Sequence, residues 1–193
     1  MALSLAGNPQ RTFTHFEVRY FSHWYLHLTY EEQVLVKRLV QSGQIEFVNG
    51  GWEMHDTVCP HYTDMLLNIE KGHSFLLKEF GVRPRAAWSL EPYGHSEMNA
   101  RLWAESGIEA MFVKEMDPED RENRIKNQSM EFIWRPNYWN VGKKAELFTH
   151  VIYDFHVSPF DLVLDKKDPR PKPDDNKPSK PLDPKDPSDD PKD

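Results

Sequence analysis

RAAWSLEPYGHS, residues 85–96, decides the fold. Arg85 to Leu90 is an almost continuous apolar run, the pattern of a strand buried on both faces of a parallel sheet, and it stops at Glu91-Pro92. After Tyr93-Gly94-His95, Ser96 stands where a helix N-cap is wanted, the helix is predicted to run through Trp103 to Ser106, and Gly107 closes it. Ile108 to Val113, IEAMFV, then supplies a second buried strand.

The same alternation extends upstream. Arg11 to Val18 reads as a strand, and the aromatic run Tyr20 to His27 follows it as a turn or helix. Thr29 and Glu32 have capping-box spacing, Val34, Leu35, Leu39 and Val40 make one apolar face, and Gly43 stands at the expected C-terminus of that helix. Gln44 to Val48 is a short strand ending at Asn49-Gly50-Gly51. Met65, Ile69, Leu76 and Phe80 mark a further helix closed by Gly81. Strands and helices in strict alternation predict an α/β fold whose parallel sheet is built by right-handed crossovers, as an open doubly wound sheet or as part of a barrel.

Downstream the pattern weakens. The polar run DPEDRENRIKNQS after Met116 reads as an exposed loop, and Phe132 to Tyr138 and Leu147 to Val163 are apolar segments without assigned partners. From Asp165 onward eight of the fifteen prolines are interspersed with Asp and Lys, and Leu182 is the one large apolar residue. Such a segment cannot offset its ordering entropy, so residues 1–164 are expected to fold and residues 165–193 to form a disordered tail. The net charge of −7, without a basic face, argues against a nucleic-acid partner. No stretch reaches the roughly 18 apolar residues of a membrane span. The start of the chain carries neither a basic n-region nor an adequate apolar h-region, so it reads as lacking a secretory address. Cys59, the lone cysteine, excludes an internal disulfide and a CxxC metal knuckle, and Asn127-Gln128-Ser129 is a glycosylation sequon.

Function in parallel sheets gathers at the carboxyl ends of the strands. Two segments occupy that position. In Asn49 to Asp56 the paired glycines let the backbone approach a ligand and Trp52 offers a flat face of the kind sugars stack on; the competing reading is an ordinary turn around a buried tryptophan. In Glu91 to Ser96 a carboxylate stands where a buried strand reaches the crevice, which is costly unless it is paired, hydrogen-bonded or metal-bound.

IEFVNGGWEMHDTVCPHYTDM (residues 45–65) together with FGVRPRAAWSLEPYGHSEMNARLWAESGIEAMFV (residues 80–113) resembles the N-terminal domain of glycoside hydrolase family 38, the alpha-mannosidases of lysosomes and the Golgi. The resemblance runs from about Phe13 to Val113 and more weakly to about Phe148. It implies part of a seven-stranded parallel β/α barrel, zinc as cofactor, mannose-containing glycans as partners, and hydrolysis of terminal alpha-linked mannose with retention of configuration. By the same resemblance Glu91 matches the catalytic nucleophile, which is also a zinc ligand, and Trp52 and Asp56 match residues of the sugar pocket. In a retaining glycosidase the nucleophile works with a second carboxylate about 5 to 5.5 Å away. Relatives enter the secretory pathway and the lysosome.

The sequence departs from the family pattern in three substitutions and three omissions. Glu91 stands where the family has Asp, and the added methylene is expected to misplace the nucleophile, where about 1 Å can cost roughly a hundredfold in rate. Glu115 stands where an active-site Arg is usual, so repulsion of Glu91 is expected, with the Lys114 side chain pointing elsewhere. Thr57 stands where a Glu is usual. The His-x-Asp pair that supplies two zinc ligands does not occur, and the family's acid/base Asp and remaining zinc-binding His are unmatched. His55, His61, His95 and His156 do not rebuild the ligand set by spacing and are expected to be solvated or hydrogen-bonded loop residues. The expectation is therefore an alpha-mannosidase family chain that is partial and inactive by itself; the alternative is a non-catalytic mannoside-binding or regulatory paralogue.

Overall fold

The order of elements is α1 (Ala2–Ala6), β1 (Phe13–His15), α2 (Val18–Leu26), α3 (Tyr30–Gln41), β2 (Ile45–Phe47), α4 (Tyr62–Phe80), β3 (Ala86–Ser89), α5 (Glu97–Glu105), β4 (Ala110–Val113), α6 (Pro118–Lys126), β5 (Glu131–Trp134), a 3-10 turn (Gly142–Ala145) and β6 (Leu147–Val151). The computed structural model describes residues 2–55, 61–89, 95–136 and 142–152. The chain divides into two units, Met1–Tyr153 and Asp154–Asp193, of which the second lies outside the described residues.

The helices begin and end where local chemistry sets their limits. In α3 the Thr29 side chain accepts from the Glu32 amide while the Glu32 carboxylate accepts from the Thr29 amide, a complete capping box. In α4 the residues buried are Met65, Ile69, Gly72, Leu76 and Phe80, one stripe at helical spacing, and Gly81 ends the helix in the left-handed conformation at φ 71°. Ser96 caps α5 by accepting from the Asn99 amide.

Two differences from the sequence reading concern elements. The run after Met116 is not a loop but α6. Asp117 caps it by accepting from the Glu119 and Asp120 amides, Pro118 occupies its first turn, and Arg124 and Lys126 pair with Asp120 and Glu122 one turn back. No α6 residue is fully buried: the helix is held by its cap, its charge pairs, the half-buried Ile125 against the second core cluster and Arg121, and hydrophobic periodicity gave no sign of it. The other addition is α1, where Leu5 enters the core and its carbonyl accepts from the Gln44 side chain.

The strands form a two-stranded parallel sheet, β1-β2, and a four-stranded sheet ordered β3-β4-β6-β5. Pairing is parallel except at the edge, where β5 runs antiparallel to β6. One buried cluster joins α2, α3, β2 and the C-terminal half of α4, with Phe21 ringed by Trp24, Tyr25, Phe47 and Phe80. A second joins Ile69 of α4, Ala100 and Trp103 of α5, and Ala87, Met111, Val113, Leu147 and Val151 of the larger sheet.

β3 and β4 are not buried on both faces as their apolar runs predict. Burial alternates along each: Ala87, Ser89, Met111 and Val113 are buried, whereas Ala86, Trp88, Ala110 and Phe112 are partly open. The register carries that open face across β6 and β5, where Phe148 and Ile133 are 43% and 47% exposed. Among the described residues the helices cover one face of this sheet, and a strand apolar on both faces needs both covered to be buried on both.

Candidate active site

The carboxyl ends of β2 and β3 are joined by one side chain. Asn49 directly follows Val48, is buried and sits at φ 58°, a conformation that Asn tolerates better than most residues. Its amide nitrogen donates to the Ala86 carbonyl at 2.9 Å. Its side chain donates to the Trp88 carbonyl at 3.0 Å and accepts from the Trp88 amide at 2.6 Å, so it acts as one more strand residue between the two sheets.

The two glycines that follow serve helix packing. A Cβ on Gly50 would lie 2.4 Å from Pro84 Cγ and one on Gly51 would lie 3.1 Å from Asn68 Nδ2, while a Cβ on Gly72 of α4 would lie 1.9 Å from the Gly50 carbonyl oxygen. The close approach is to α4 and to Pro84, not to a ligand as the sequence suggests. Hydrogen bonds fix it: the Trp52 amide donates to the Asn68 carbonyl at 3.0 Å, Glu53 and the Asn68 side chain exchange a pair at 2.8 and 2.6 Å, and His73 Nε2 donates to the Asn49 carbonyl at 2.9 Å. Burial holds the His73 pKa below its ordinary value, outweighing the Asn49 hydrogen bond, which acts the other way.

Trp52 is half-buried. Lys71 Nζ lies 4.1 Å from its ring centroid, Phe75 meets it edge-on, and the ring lines an open groove of about 470 Å³ with Arg19, Tyr20, Ser22, His23 and Leu26 of α2. Arg19 is paired with Glu53 at the rim. The other two sequence-predicted site residues, Asp56 and Glu91, lie outside the described residues, as do Thr57 and Cys59.

The flanks of residue 91 are described: Ser89 and His95 are tied to the end of β4, and α5 is tied to the loop after β2. β3 ends at Ser89, whose carbonyl accepts from the Lys114 amide at 3.2 Å. His55, in the loop after β2, is buried, stacks on Trp103 at 5.0 Å and bonds through Nδ1 to Asn99 Oδ1 at 3.1 Å in the first turn of α5. His95 Nε2 donates to the Glu115 carbonyl at 2.6 Å, tying the loop after β3 to the end of β4, and its Nδ1 is buried without a partner among the described residues. His61 is used at the N-terminus of α4, where its ring accepts from the Thr63 amide. These three histidines are hydrogen-bonded, as expected; His156 lies outside the described residues.

The Lys114 side chain does not point away from Glu115. Its Nζ lies 3.1 Å from Glu115 Oε1, and both residues are half-buried, so Glu115 is charge-paired locally. The sequence reading also missed Arg121. From α6 its guanidinium donates to the carbonyls of Lys114 and Ile152 at 2.9 and 2.7 Å, at the carboxyl ends of β4 and β6. The signal that could have found it is Asp117-Pro118, a helix start that would have aimed the next turn back at the sheet.

Zinc finds no ready site in this set. Among the described residues no three His, Cys, Asp or Glu converge, and Glu91, the one position matched to a ligand, is not among them. Nor is any helix among the described residues long and apolar enough to cross a membrane.

Known proteins extend this picture. The chain is 40% identical over 157 residues to a probable alpha-mannosidase of Arabidopsis thaliana, 37% over 155 residues to the lysosomal alpha-mannosidase of Dictyostelium discoideum and 37% over 164 residues to that of Bos taurus. These alignments cover 81%, 80% and 84% of this chain, which spans only 15%, 15% and 16% of those relatives. Among solved structures it resembles a 4-alpha-glucanotransferase from Thermococcus litoralis, with a TM-score of 0.60 at 17% identity over 78% of this chain and 22% of that one. An alpha-mannosidase from Enterococcus faecalis V583 superposes with a TM-score of 0.59 at 14% identity over 80% of this chain and 17% of that one. At those identities the structural matches establish a shared fold. The family model of the glycosyl hydrolases family 38 N-terminal domain matches residues 1–177, and the chain belongs to that family.

Proposed function

We propose that this chain forms part of an alpha-mannosidase active site, acting on terminal alpha-linked mannose of glycans by a retaining mechanism, and that it does not turn over substrate by itself. Membership of family 38, with relatives named alpha-mannosidase matched over about four-fifths of the chain, carries the reading. In this proposal the two sheets are a section of a seven-stranded β/α barrel. Glu91 is the nucleophile position and the one zinc-ligand position matched in the chain, and Trp52 and Asp56 face the sugar. Glu91 lies outside the described residues, so its assignment rests on the match of AWSLEPYGHS to the family pattern. No step is assigned to zinc, because the described residues do not assemble its ligands.

The inactivity follows from three features of the sequence: Glu in place of Asp at position 91, Glu115 in place of the Arg, and no His-x-Asp pair. An aryl alpha-mannoside with added zinc tests it. The expected result is no hydrolysis above buffer; hydrolysis that disappears in Glu91→Ala overturns the claim of inactivity and supports the nucleophile assignment.

A second reading, a mannoside-binding paralogue without catalysis, is favoured by the Lys114–Glu115 pair, which leaves a neutral pair where the family has a cation. It predicts saturable mannoside binding, lost in Trp52→Ala, with no turnover. Absence of any binding removes it.

A further inference from the structure

We propose that His23 and His27 form a two-histidine site for a borderline divalent transition cation such as Cu2+, Ni2+ or Zn2+. The pair lies four residues apart near the C-terminal end of α2, one above the other on a single helix face. Both side chains are exposed, and their ring centroids are 4.5 Å apart.

The end of the helix prepares one of the two rings. The His27 amide donates to the Trp24 carbonyl, a tightened last turn that leaves the His23 carbonyl for another donor. His27 Nδ1 fills that place at 2.6 Å. A ring nitrogen facing a carbonyl must carry the proton, so the lone pair of the neutral ring is on Nε2, which is free to ligate. An imidazole fixed by a hydrogen bond from its other nitrogen to a carbonyl is the usual outer-shell arrangement of a metal-binding histidine. His23 supplies the second imidazole one turn back.

Imidazole nitrogens suit copper, nickel and zinc, and affinity for a given nitrogen site peaks at Cu2+. Arg19, one turn before His23 on the same face, would oppose a cation, but Glu53 pairs with it and neutralises it. Two protein ligands leave the remaining positions to water, so the site is open and exchangeable, unlike a closed four-ligand structural site. The inference uses none of Glu91, Trp52 and Asp56, although His23 lines the groove beside Trp52, and its test reads bound cation and not mannoside.

The test is equilibrium dialysis of the full chain against Cu2+ or Ni2+, on wild type, His23→Gln, His27→Gln and the double variant. Loss of a ligand is expected to cost at least as much as loss of an outer-shell partner, on the order of tenfold to a hundredfold in affinity. Each single variant should therefore lose the bound equivalent, and the double variant should lose nothing further. Unchanged affinity in either single variant, or losses that add as two independent sites, overturns the proposal. A second arm needs no variant: substoichiometric Ni2+ should broaden the ring proton resonances of His23 and His27 together, before those of His61 and His150. Simultaneous broadening of all four refutes the chelate.

Discussion

Replacing Gly72 by alanine adds one methyl group in the middle of α4, where on helix propensity alone it should stabilise by about 1 kcal/mol. The structure reverses the sign. The new Cβ would lie 1.9 Å from the Gly50 carbonyl oxygen, 2.7 Å from the Gly51 carbonyl carbon and 2.8 Å from the Trp52 nitrogen, all backbone atoms that cannot rotate aside. Relief requires α4 to move from the loop by an ångström or more, which strains packing at about 1 to 3 kcal/mol. The same movement loosens four hydrogen bonds, from the Trp52 amide to Asn68, the two between Glu53 and Asn68, and from His73 to Asn49. At about 1 kcal/mol each, losing half of them adds roughly 2 kcal/mol. Set against the propensity gain, the net loss is about 2 to 4 kcal/mol, or roughly 5 to 15 °C in Tm for a domain of this size. Thermal unfolding followed by circular dichroism measures it, with Gly81→Ala as the comparison: φ is 71° there and nothing lies within 4 Å of the added methyl, so backbone strain of about 1 to 2 kcal/mol is the whole cost. A Gly72→Ala protein that melts at or above the wild-type temperature refutes the packing argument.

Asn49→Gly keeps the positive φ but strands the Trp88 amide and carbonyl, at about 1 to 3 kcal/mol each if buried, and Asn49→Ala adds roughly 1 kcal/mol of strain. The expected stability order, wild type above Gly above Ala in urea titrations, is wrong if Ala equals wild type. Asp117→Ala removes a cap worth about 1 kcal/mol from a helix with no buried residue, so amide protection over residues 118–126 should collapse while the global Tm barely changes; intact protection contradicts the account of α6. Burial lowers the pKa of His15 and His73 in the folded chain from the ordinary 6.5, so the unfolded chain binds more protons just below that value. Stability is therefore full above about pH 6.5 and falls as pH drops toward the folded pKa values, and His73→Gln should flatten the slope of Tm against pH between about 5 and 7. An unchanged slope in that variant excludes His73 as a contributor.

The helices were legible where a cap and an apolar stripe coincided, as at Thr29 with Glu32 and at Met65 through Phe80 with Gly81. α6 was not, because pattern reading depends on an apolar stripe and this helix brings a single apolar side chain, Ile125, to the core. The strands were legible as apolar runs, but the runs cannot distinguish a covered face from an open one, so Trp88 and Phe112 were placed in a closed interior. At the site, the family motif drew attention to Glu91 and Trp52, whereas the residues that organise its surroundings are amides: Asn49, Asn68 and Asn99. Asparagine has no periodicity and no charge, and its role shows only when the backbone groups it satisfies are known.

Asn49 also has a mechanical consequence. Along the boundary between the two sheets, one main-chain bond and a pair of side-chain contacts, all from Asn49, stand in for what elsewhere is a ladder of main-chain rungs. A protein pulled or warmed until it tears should part along that seam, with β1 and β2 leaving on one side as a unit with α2 and α3, and β3 to β6 staying together on the other.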